Sequence, residues 1–399
     1  MAPIGRRPGA GIARRSFLTG GAAFAAGASA TPALATFGDT PLGGTVEMAV
    51  VGPFTGDQAN LGEQMTNGVR AAINDANQMR GPLDKAYTMR SFDDQNLLAS
   101  GLQAADFACD DSAAVAVIGH LKGVITEQAL HTYVNNKMAI ICPASTYDRL
   151  TEHGYGNILR LPTKDSVEGR FAAQYARTTL KPTSVVVLVQ DADYGAEVAA
   201  GFSEEMQGDK VKTSVISFAW DKPDFDVVTD KVLGMKPDLI FLSGITGDMG
   251  PILPKLRAAS YTGPIYASQG FFDAATVAKY TTNAEGIVVS SSMPPLTLAP
   301  GAFRIKNDFE RTYGPMTPVS AFSYAAAQII IAIVRRANAQ DRIAVLQQLS
   351  LNSAFETVVG EITFSNTGDP LNPNVYFYTV KNGAWRYVGS AQPSSFIVK

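Results

Sequence analysis

The sequence predicts an α/β fold of two lobes, each a doubly wound parallel sheet, joined by a three-stranded hinge. Its 399 residues exceed what one hydrophobic core usually organises. Two successive arrays of apolar, strand-like runs alternate with segments of helical period, which is typical of parallel sheets. The C-terminal part mixes helices with short strands. It is expected to return to the first lobe near Pro294–Pro300 and to the second near Gly360, which makes three crossings.

The first array predicts four strands that alternate with helices. Apolar residues between Leu61 and Ala76 recur at helical spacing, and Asn60 with Glu63 has the spacing of a capping box for that helix. Later helices are predicted over Leu97–Cys109 and from about Gly123. The predicted strands are Thr45–Val51, Tyr87–Phe92, Ala114–Ile118 and Met138–Cys142.

The second array predicts five strands and five helices. Its first strand is a continuous apolar run, of the kind that is buried on both faces of a parallel sheet. The predicted strands are Ser184–Val189, Val211–Phe218, Asp238–Leu242, Pro264–Ala267 and Gly286–Ser290. The predicted helices are Ser166–Leu180, Gly195–Gln207, Phe225–Leu233, Met249–Ala259 and Ala274–Tyr280.

The C-terminal part completes both lobes. Its apolar run Ile329–Val334 is too short to span a membrane and is interpreted as part of a core helix. The predicted elements are helices Phe303–Tyr313, Val319–Ala337 and Arg342–Leu349, and strands Glu361–Phe364, Val375–Val380 and Trp385–Val388. The predicted domains are a linker over 36–44, a first lobe over 45–163 and 294–359, and a second lobe over 164–293 and 360–399.

The N-terminal 35 residues are predicted to be a twin-arginine export signal rather than part of the fold. Arg14 and Arg15 precede a mildly apolar Ala/Gly-rich stretch, and Ala33–Ala35 gives an A-x-A cleavage pattern, so cleavage is expected near Ala35. The alternative, a membrane anchor, is less favoured because Ala and Gly gain little from lipid and Pro32 ends the run early.

Charge and composition exclude several classes of function. Residues 1–35 carry four Arg and no acid, so the remainder has 29 basic and 36 acidic residues and a net charge of −7. This balance argues against a nucleic-acid partner. Cys109 and Cys142 leave two alternatives open, a disulfide or two separately buried thiols. The three histidines do not pair at metal-ligand spacing, so neither a metal nor a cofactor is expected.

Short motifs in a particular order run through nearly the whole chain after the signal. They are Val51–Gly56, Ala116–Leu121, Pro143–Thr146, Asp193–Gly195, Pro237–Ile240, Ser323–Gln328, Ile362–Phe364 and Gly368–Asp369. With these motifs in this order, the chain resembles the branched-chain amino acid-binding family of periplasmic ABC-transporter substrate-binding proteins. These proteins have the type I periplasmic binding fold. The resemblance implies a periplasmic, monomeric protein that closes two lobes around a small molecule and delivers it to a permease.

The resemblance implies ligand contacts in loops at the carboxyl ends of the first-lobe strands, where doubly wound folds bind ligands. In the loop His120–Val124, the family's carboxylate-binding serine position is Gly123, which keeps backbone donors but lacks the hydroxyl. Lys122 is either a positive charge for the ligand or a solvated side chain. His120 is expected to pack the loop. Leu61 offers apolar contact to the ligand or packs its helix.

The second first-lobe loop is Ala144-Ser145-Thr146. The resemblance implies that its amides and hydroxyls bind the ligand carboxylate. The alternative is a strand-to-helix connection in which a hydroxyl caps the helix.

The resemblance also implies contacts from the second lobe. Tyr194 matches the family's aromatic wall, whereas Ile245 or Thr246 stands where the family has a further tyrosine. The family's carboxylate for the ligand ammonium is replaced by Gln269, which cannot neutralise a buried charge.

The loss of this carboxylate leads to a hypothesis about the ligand. Asp193 or Asp248 could supply the missing charge; otherwise the ligand lacks an α-ammonium and is an aromatic or branched carboxylate, or an amide. Leucine and other amino acids therefore stand beside organic acids and amides as candidates.

Two other classes of function compete with a transport receptor. An enzyme is disfavoured because no G-x-S-x-G, P-loop or G-x-G-x-x-G motif lies in the required strand–helix context. Asp93 and Asp94 are interpreted as a strand end rather than an acid pair. A ligand-binding sensor of the same fold is the remaining alternative, although no long apolar run follows Ala35 to tether it.

Overall fold

The structure is a computed structural model. It describes residues 43–81, 83–190, 193–207, 211–218, 223–339, 341–349, 353–392 and 395–398. The predicted export signal, and the linker up to residue 42, lie outside the described residues.

The first array forms a five-stranded, fully parallel sheet in the order β2-β1-β3-β4-β5. All four predicted strands are present, and the three-residue β5 is an addition that is too short to show a pattern. The strands are β1 (Thr45–Gly52), β2 (Ala86–Asp93), β3 (Ala114–Gly119), β4 (Ala139–Cys142) and β5 (Ile158–Arg160). The helices are α1 (Ala59–Gln78), α2 (Leu98–Asp110) and α3 (Gly123–Asn135).

The predicted capping box at Asn60 and Glu63 is wrong. Helix α1 begins at Ala59 with Gln58 as its N-cap, and no side chain caps it. Asn60 is therefore already inside the first turn, where its side chain cannot serve as the cap.

The second array also forms its predicted strands, with two changes among the helices. Of the predicted helix Met249–Ala259, residues Ile252–Ala258 form one helix with Pro251 as its N-cap, while Met249 ends a separate one-turn helix that begins at Thr246. The predicted helix Ser166–Leu180 is an α-helix that ends in a π-helical turn over Ala176–Leu180. The strands are β6 (Ser184–Gln190), β7 (Lys212–Phe218), β8 (Leu239–Ser243), β9 (Ile265–Ala267) and β10 (Val288–Ser291). The helices are α4 (Asp165–Tyr175), α5 (Asp193–Gln207), α6 (Phe225–Gly234), α7 (Thr246–Met249), α8 (Ile252–Ala258) and α9 (Ala274–Tyr280).

The C-terminal part contributes three helices and two sets of strands. The helices are α10 (Pro300–Tyr313), α11 (Pro318–Ala337) and α12 (Arg342–Leu349). The strands are β11 (Phe355–Thr357), β12 (Gly360–Ile362), β13 (Val375–Lys381), β14 (Ala384–Gln392) and β15 (Ser395–Val398). β11 and β12 form a hairpin, whereas β13–β15 extend the second sheet to the order β15-β14-β13-β10-β9-β8-β6-β7, with β13 antiparallel to β10.

Helix α11 is long and apolar enough to cross a bilayer by length and composition, but 72% of its apolar window is buried inside the fold. It packs along α1, with Tyr324 donating a hydrogen bond to Asp75 of α1 at 2.5 Å. We therefore interpret α11 as a core helix.

Each sheet is covered by helices on both faces, which explains why its central strands are almost entirely apolar. In the first sheet, α1 and α11 cover one face while α2 and α3 cover the other. In the second, α6 and α8 lie on one face while α4 and α5 lie on the other. Phe364, just after Gly360, packs in the first core. We retain the predicted lobe bounds as a proposal.

The segments that cross between the sheets contact one another. Arg160, at the end of β5, is fully buried; its backbone amide donates to the Gly368 carbonyl at 2.8 Å, and its guanidinium contacts Asp369 at 2.8 Å. Lys164 reaches the other oxygen of Asp369 at 3.0 Å. This Arg160–Asp369–Lys164 cluster ties the first crossing to the third.

The two cysteines are separately buried thiols, and the disulfide alternative is wrong. Cys109 lies on α2 and Cys142 at the end of β4, and both are free. Burial raises the pKa of each thiol to about 11, so both are protonated and poorly reactive at neutral pH.

Candidate functional site

The loop after β3 leads directly into the N-terminus of α3. Lys122 is its N-cap and is exposed, while Gly123 is the first helical residue. A Cβ at Gly123 would lie 2.3 Å from Tyr147 Cβ and 2.9 Å from Ser145 Oγ. The two predicted first-lobe loops are therefore in contact, and only glycine fits between them. The unpaired amides of a helix N-terminus favour an anion at this point.

His120 has the packing role that the sequence suggested. Its ring is fully buried, with Nδ1 2.9 Å from an Asp94 carboxylate oxygen and Nε2 2.8 Å from the Tyr133 hydroxyl. Both ring nitrogens are thus used inside the first lobe, which fixes the loop that precedes Gly123.

The loop after β4 carries a buried hydroxyl without a partner. Ser145 is 3% exposed, and its Oγ makes no hydrogen bond with any described residue. Its neighbour Thr146 accepts a hydrogen bond through its carbonyl from the Asp165 amide at 3.0 Å. Ala144 and Thr146 are half-buried. Burying an unpartnered hydroxyl is costly, so Ser145 is a candidate for direct contact with a ligand.

Leu61 is the remaining predicted residue of the first lobe. It lies in the first turn of α1, behind the carboxyl end of β1, and is half-buried. This is the same sheet edge at which Gly123 and Ser145 lie.

The predicted residues of the second lobe converge around Gly270. The Tyr194 hydroxyl accepts a hydrogen bond from the Gly270 amide at 3.0 Å. The Ile245 side chain is exposed and packs against Gly270, where a Cβ would lie 2.8 Å from Ile245 Cγ2. Gln269 precedes Gly270, and its Oε1 accepts from the Ser292 amide at 3.4 Å. Tyr194, Ile245 and Gln269 therefore share one small region.

Two buried acids in the first turn of α4 join the two regions, and sequence reasoning missed both. Asp165 contacts Thr146 of the first lobe, as described above. Glu168 accepts hydrogen bonds from the Gln269 amide at 2.7 Å, from Ser290 Oγ at 2.6 Å and from the Tyr194 hydroxyl at 3.5 Å. Both acids are 1% exposed. The only signal in the sequence was an acidic pair at i and i+3 at a helix start, which is ordinary for a helix N-terminus.

Burial shifts the protonation of both acids. It raises the pKa of Asp165 well above the usual range; a hydrogen bond from the Thr146 side chain opposes this, and the charges of Glu168, Glu197 and Asp148 raise the pKa further. Burial also raises the pKa of Glu168 to about 7, against hydrogen bonds from Ser290, Gln269 and Tyr194 that favour the ionised form.

The acids suggested from the sequence as replacements for the lost carboxylate are placed differently. Asp248 accepts a hydrogen bond from the Gln190 side-chain amide. The side chain of Asp193 lies outside the described residues. The described residues hold no cluster of His, Cys, Asp and Glu that could bind a metal ion.

A cavity of about 170 Å³ lies at the crossings rather than at these loops. Thr163, Ser292, Asn374 and Tyr376 are among the residues that line it, and none of the predicted ligand residues does. At the loops the two lobes touch, because the Asp148 amide donates to Glu197 Oε2 of α5 at 2.9 Å.

Comparison with known proteins gives a consistent result. A family model described as periplasmic binding protein matches residues 45–384. The Leu/Ile/Val-binding protein of Escherichia coli K12 is 27% identical over 357 residues, which cover 84% of this chain and 90% of that protein.

Two solved structures share the fold. The leucine-binding protein of Thermotoga maritima matches with a TM-score of 0.79 at 22% identity, over 88% of this chain and 99% of that one. A solute-binding protein of R. palustris, solved in complex with benzoate, matches with a TM-score of 0.76 at 18% identity, over 89% and 98% of the two chains. The chain therefore belongs to the periplasmic binding protein family.

Proposed function

We propose that this protein is the periplasmic substrate-binding component of an ABC importer. It captures a small carboxylate-bearing metabolite between its lobes by hinge closure and delivers it to a permease. Export follows from the twin-arginine signal over residues 1–35, with cleavage near Ala35. The protein acts as a monomer and not as an enzyme. The ligand-contacting residues are Leu61, Lys122, Gly123, Ala144, Ser145, Thr146, Tyr194, Ile245 and Gln269.

The observation that carries this proposal is that Thr146 and Tyr194 both contact the first turn of α4. Thr146 binds the Asp165 amide, and Tyr194 contacts Glu168 one turn later on the same helix. These contacts support the proposal that residues following strands of two separate sheets bind one ligand, as a cleft-binding receptor requires. Hinge closure around a ligand is the established behaviour of periplasmic binding proteins.

A carboxylate is the ligand group that the first lobe is best suited to bind. The α3 N-terminus offers backbone donors, and the unpartnered Ser145 hydroxyl lies beside its first residue. A helix N-terminus favours an anion. Leucine and benzoate, the ligands named for the related structures, both carry a carboxylate.

The first step of the test is to identify the ligand by mass spectrometry of what co-purifies with the mature protein, and then to titrate it by calorimetry. Leucine, benzoate and a short amide are titrated in the same way for comparison. We expect a carboxylate to bind and to be recovered unchanged after denaturation. Recovery of a chemically altered molecule would instead indicate an enzyme.

Ser145→Ala is expected to weaken carboxylate binding by about tenfold, because a hydrogen bond to a charged group is lost. Ser203→Ala is the matched control, since the buried hydroxyl of Ser203 on α5 also has no partner in the part of the chain that the structure describes but lies outside the predicted loops. Equal affinities of the two variants would contradict a role for Ser145 in binding.

A further inference from the structure

The cavity of about 170 Å³ lies among the three segments that cross between the sheets, away from the predicted ligand loops. Thr163 of the first crossing is 3% exposed and bonds to both of the others. Its amide donates to Ser292 Oγ at 3.0 Å, and its hydroxyl donates to the Asn374 carbonyl at 3.4 Å. Phe322 of the first core and Tyr376, which packs against the second core, also line the cavity. The cavity therefore belongs to the crossings and has walls from both cores.

The size and the wall groups of this cavity suit a small organic molecule. A liquid water molecule takes about 30 Å³, so the cavity has room for about six of them. The side-chain amide of Asn374 and the hydroxyls of Thr363 and Tyr376 make no hydrogen bond within the described part of the chain. They leave donors and acceptors for an occupant, and Phe322 and Tyr376 add aromatic rings.

The charge at the cavity is negative. Of the described residues that line it, Glu361 is the only one with a charged side chain, and it is exposed. Glu356 lies directly opposite Glu361 across the β11–β12 hairpin, so the two side chains share one face. Neither carboxylate forms an ion pair with a described residue, and the nearby Arg160 and Lys164 are bound to Asp369. Like charges directly opposite each other are unfavourable, and a bound cation relieves their repulsion.

We propose that this cavity is a second binding site, for a small organic ammonium ion. Glu361 supplies the counter-charge, and Phe322 and Tyr376 supply rings that attract a cation. The amide of Asn374 supplies hydrogen bonds to polar groups of the occupant. A carboxylate is disfavoured here because no basic side chain lines the cavity among the described residues. The site therefore differs, in ligand charge as well as in place, from the proposed carboxylate site at the Ser145 loop.

The test compares two molecules of one shape on the mature protein. They are choline and 3,3-dimethylbutan-1-ol, in which a carbon atom replaces the nitrogen. Calorimetry measures both affinities, and we expect choline to bind at least about tenfold more tightly, because only choline carries a charge. Equal affinities would overturn the proposal, and so would a failure of choline to bind at up to about 10 mM.

A variant tests whether the cavity holds the choline. Glu361→Gln removes a charge at an exposed position, so the fold is expected to be kept. We expect it to weaken choline binding by about fivefold and to leave 3,3-dimethylbutan-1-ol within about twofold. Glu204→Gln, which removes an exposed charge from α5, is the matched control and is expected to bind choline as the wild type does. Choline affinity that is the same in Glu361→Gln as in Glu204→Gln would overturn the proposal.

A crystal structure of the mature protein with choline gives its position directly. We expect the ammonium group beside Glu361, Phe322 and Tyr376, whereas choline bound only at the loops of Ser145 and Tyr194 would overturn the proposal. The proposed function is tested separately, because its carboxylate ligand binds elsewhere. It survives a failure of the choline experiments if a carboxylate still binds, and it falls if none does.

Discussion

Glu168 is a buried carboxyl group that we expect to make folding depend on pH. Its pKa is raised from 4.5 to about 7, so the folded protein binds its proton more tightly than the unfolded chain does. The stability from this proton is fully present below about pH 4.5 and is lost as pH rises through about 7, a change of roughly 3 kcal/mol.

Glu168→Gln removes this titration. We expect the difference in free energy of unfolding between wild type and variant to change by roughly 3 kcal/mol between about pH 4 and pH 8. Urea denaturation at several pH values measures it, with Glu204→Gln as the control that follows the wild type. Parallel pH profiles for wild type and Glu168→Gln would show that Glu168 is not the titrating group.

At this scale, part of the candidate site could be predicted from the sequence. The loops at Ser145 and Tyr194 follow strand ends, and a strand end is a local signal. The acids of α4 could not be predicted, because their burial depends on partners far away in sequence. Glu168 binds Gln269, 101 residues later, and nothing in its own helix distinguishes it from a solvated acid.

At the scale of elements, the Arg160–Asp369–Lys164 cluster joins two of the segments that pass between the sheets. Asp369 accepts from Arg160 Nε at 2.9 Å and from the Thr151 hydroxyl at 2.8 Å. Because Arg160 is fully buried, Asp369→Asn leaves a buried cation without its charge partner. We expect this variant to lose about 3–5 kcal/mol of unfolding free energy.

Asp308→Asn is the matched control for this change. Asp308 pairs with Arg311 on the surface of α10, where 77% of the Arg311 side chain is exposed. Its loss is expected to cost about 1 kcal/mol or less. Urea denaturation measures the midpoints of both variants. Equal midpoints for Asp369→Asn and Asp308→Asn would contradict the role of the cluster.

The elements themselves were largely predictable, because strand and helix periods are local properties. β8 and α9 follow from runs of five and seven residues. Two errors in the predicted elements have a physical explanation. β5 has three residues, too few to show alternation, and Pro251 is the N-cap of α8, so the helix predicted from Met249 begins only at Ile252. The contact of Arg160 with Asp369, 209 residues apart, has no local signal at all.

On the scale of the whole molecule, the lobes touch beside the proposed ligand site. The Asp148 amide of the loop after β4 binds Glu197 of α5, and Thr146 binds the start of α4. These contacts fit a receptor whose lobes close on each other, because ligand contacts from the second lobe then form only on closure.

The most direct test of the central claim is a crystal structure of the mature protein with the ligand identified by mass spectrometry. We expect the ligand to contact Ser145 or Thr146 from one lobe and Tyr194 from the other, with its carboxylate at the α3 N-terminus. A ligand held by one lobe alone, or seated in the cavity lined by Thr163 and Asn374, would contradict the account.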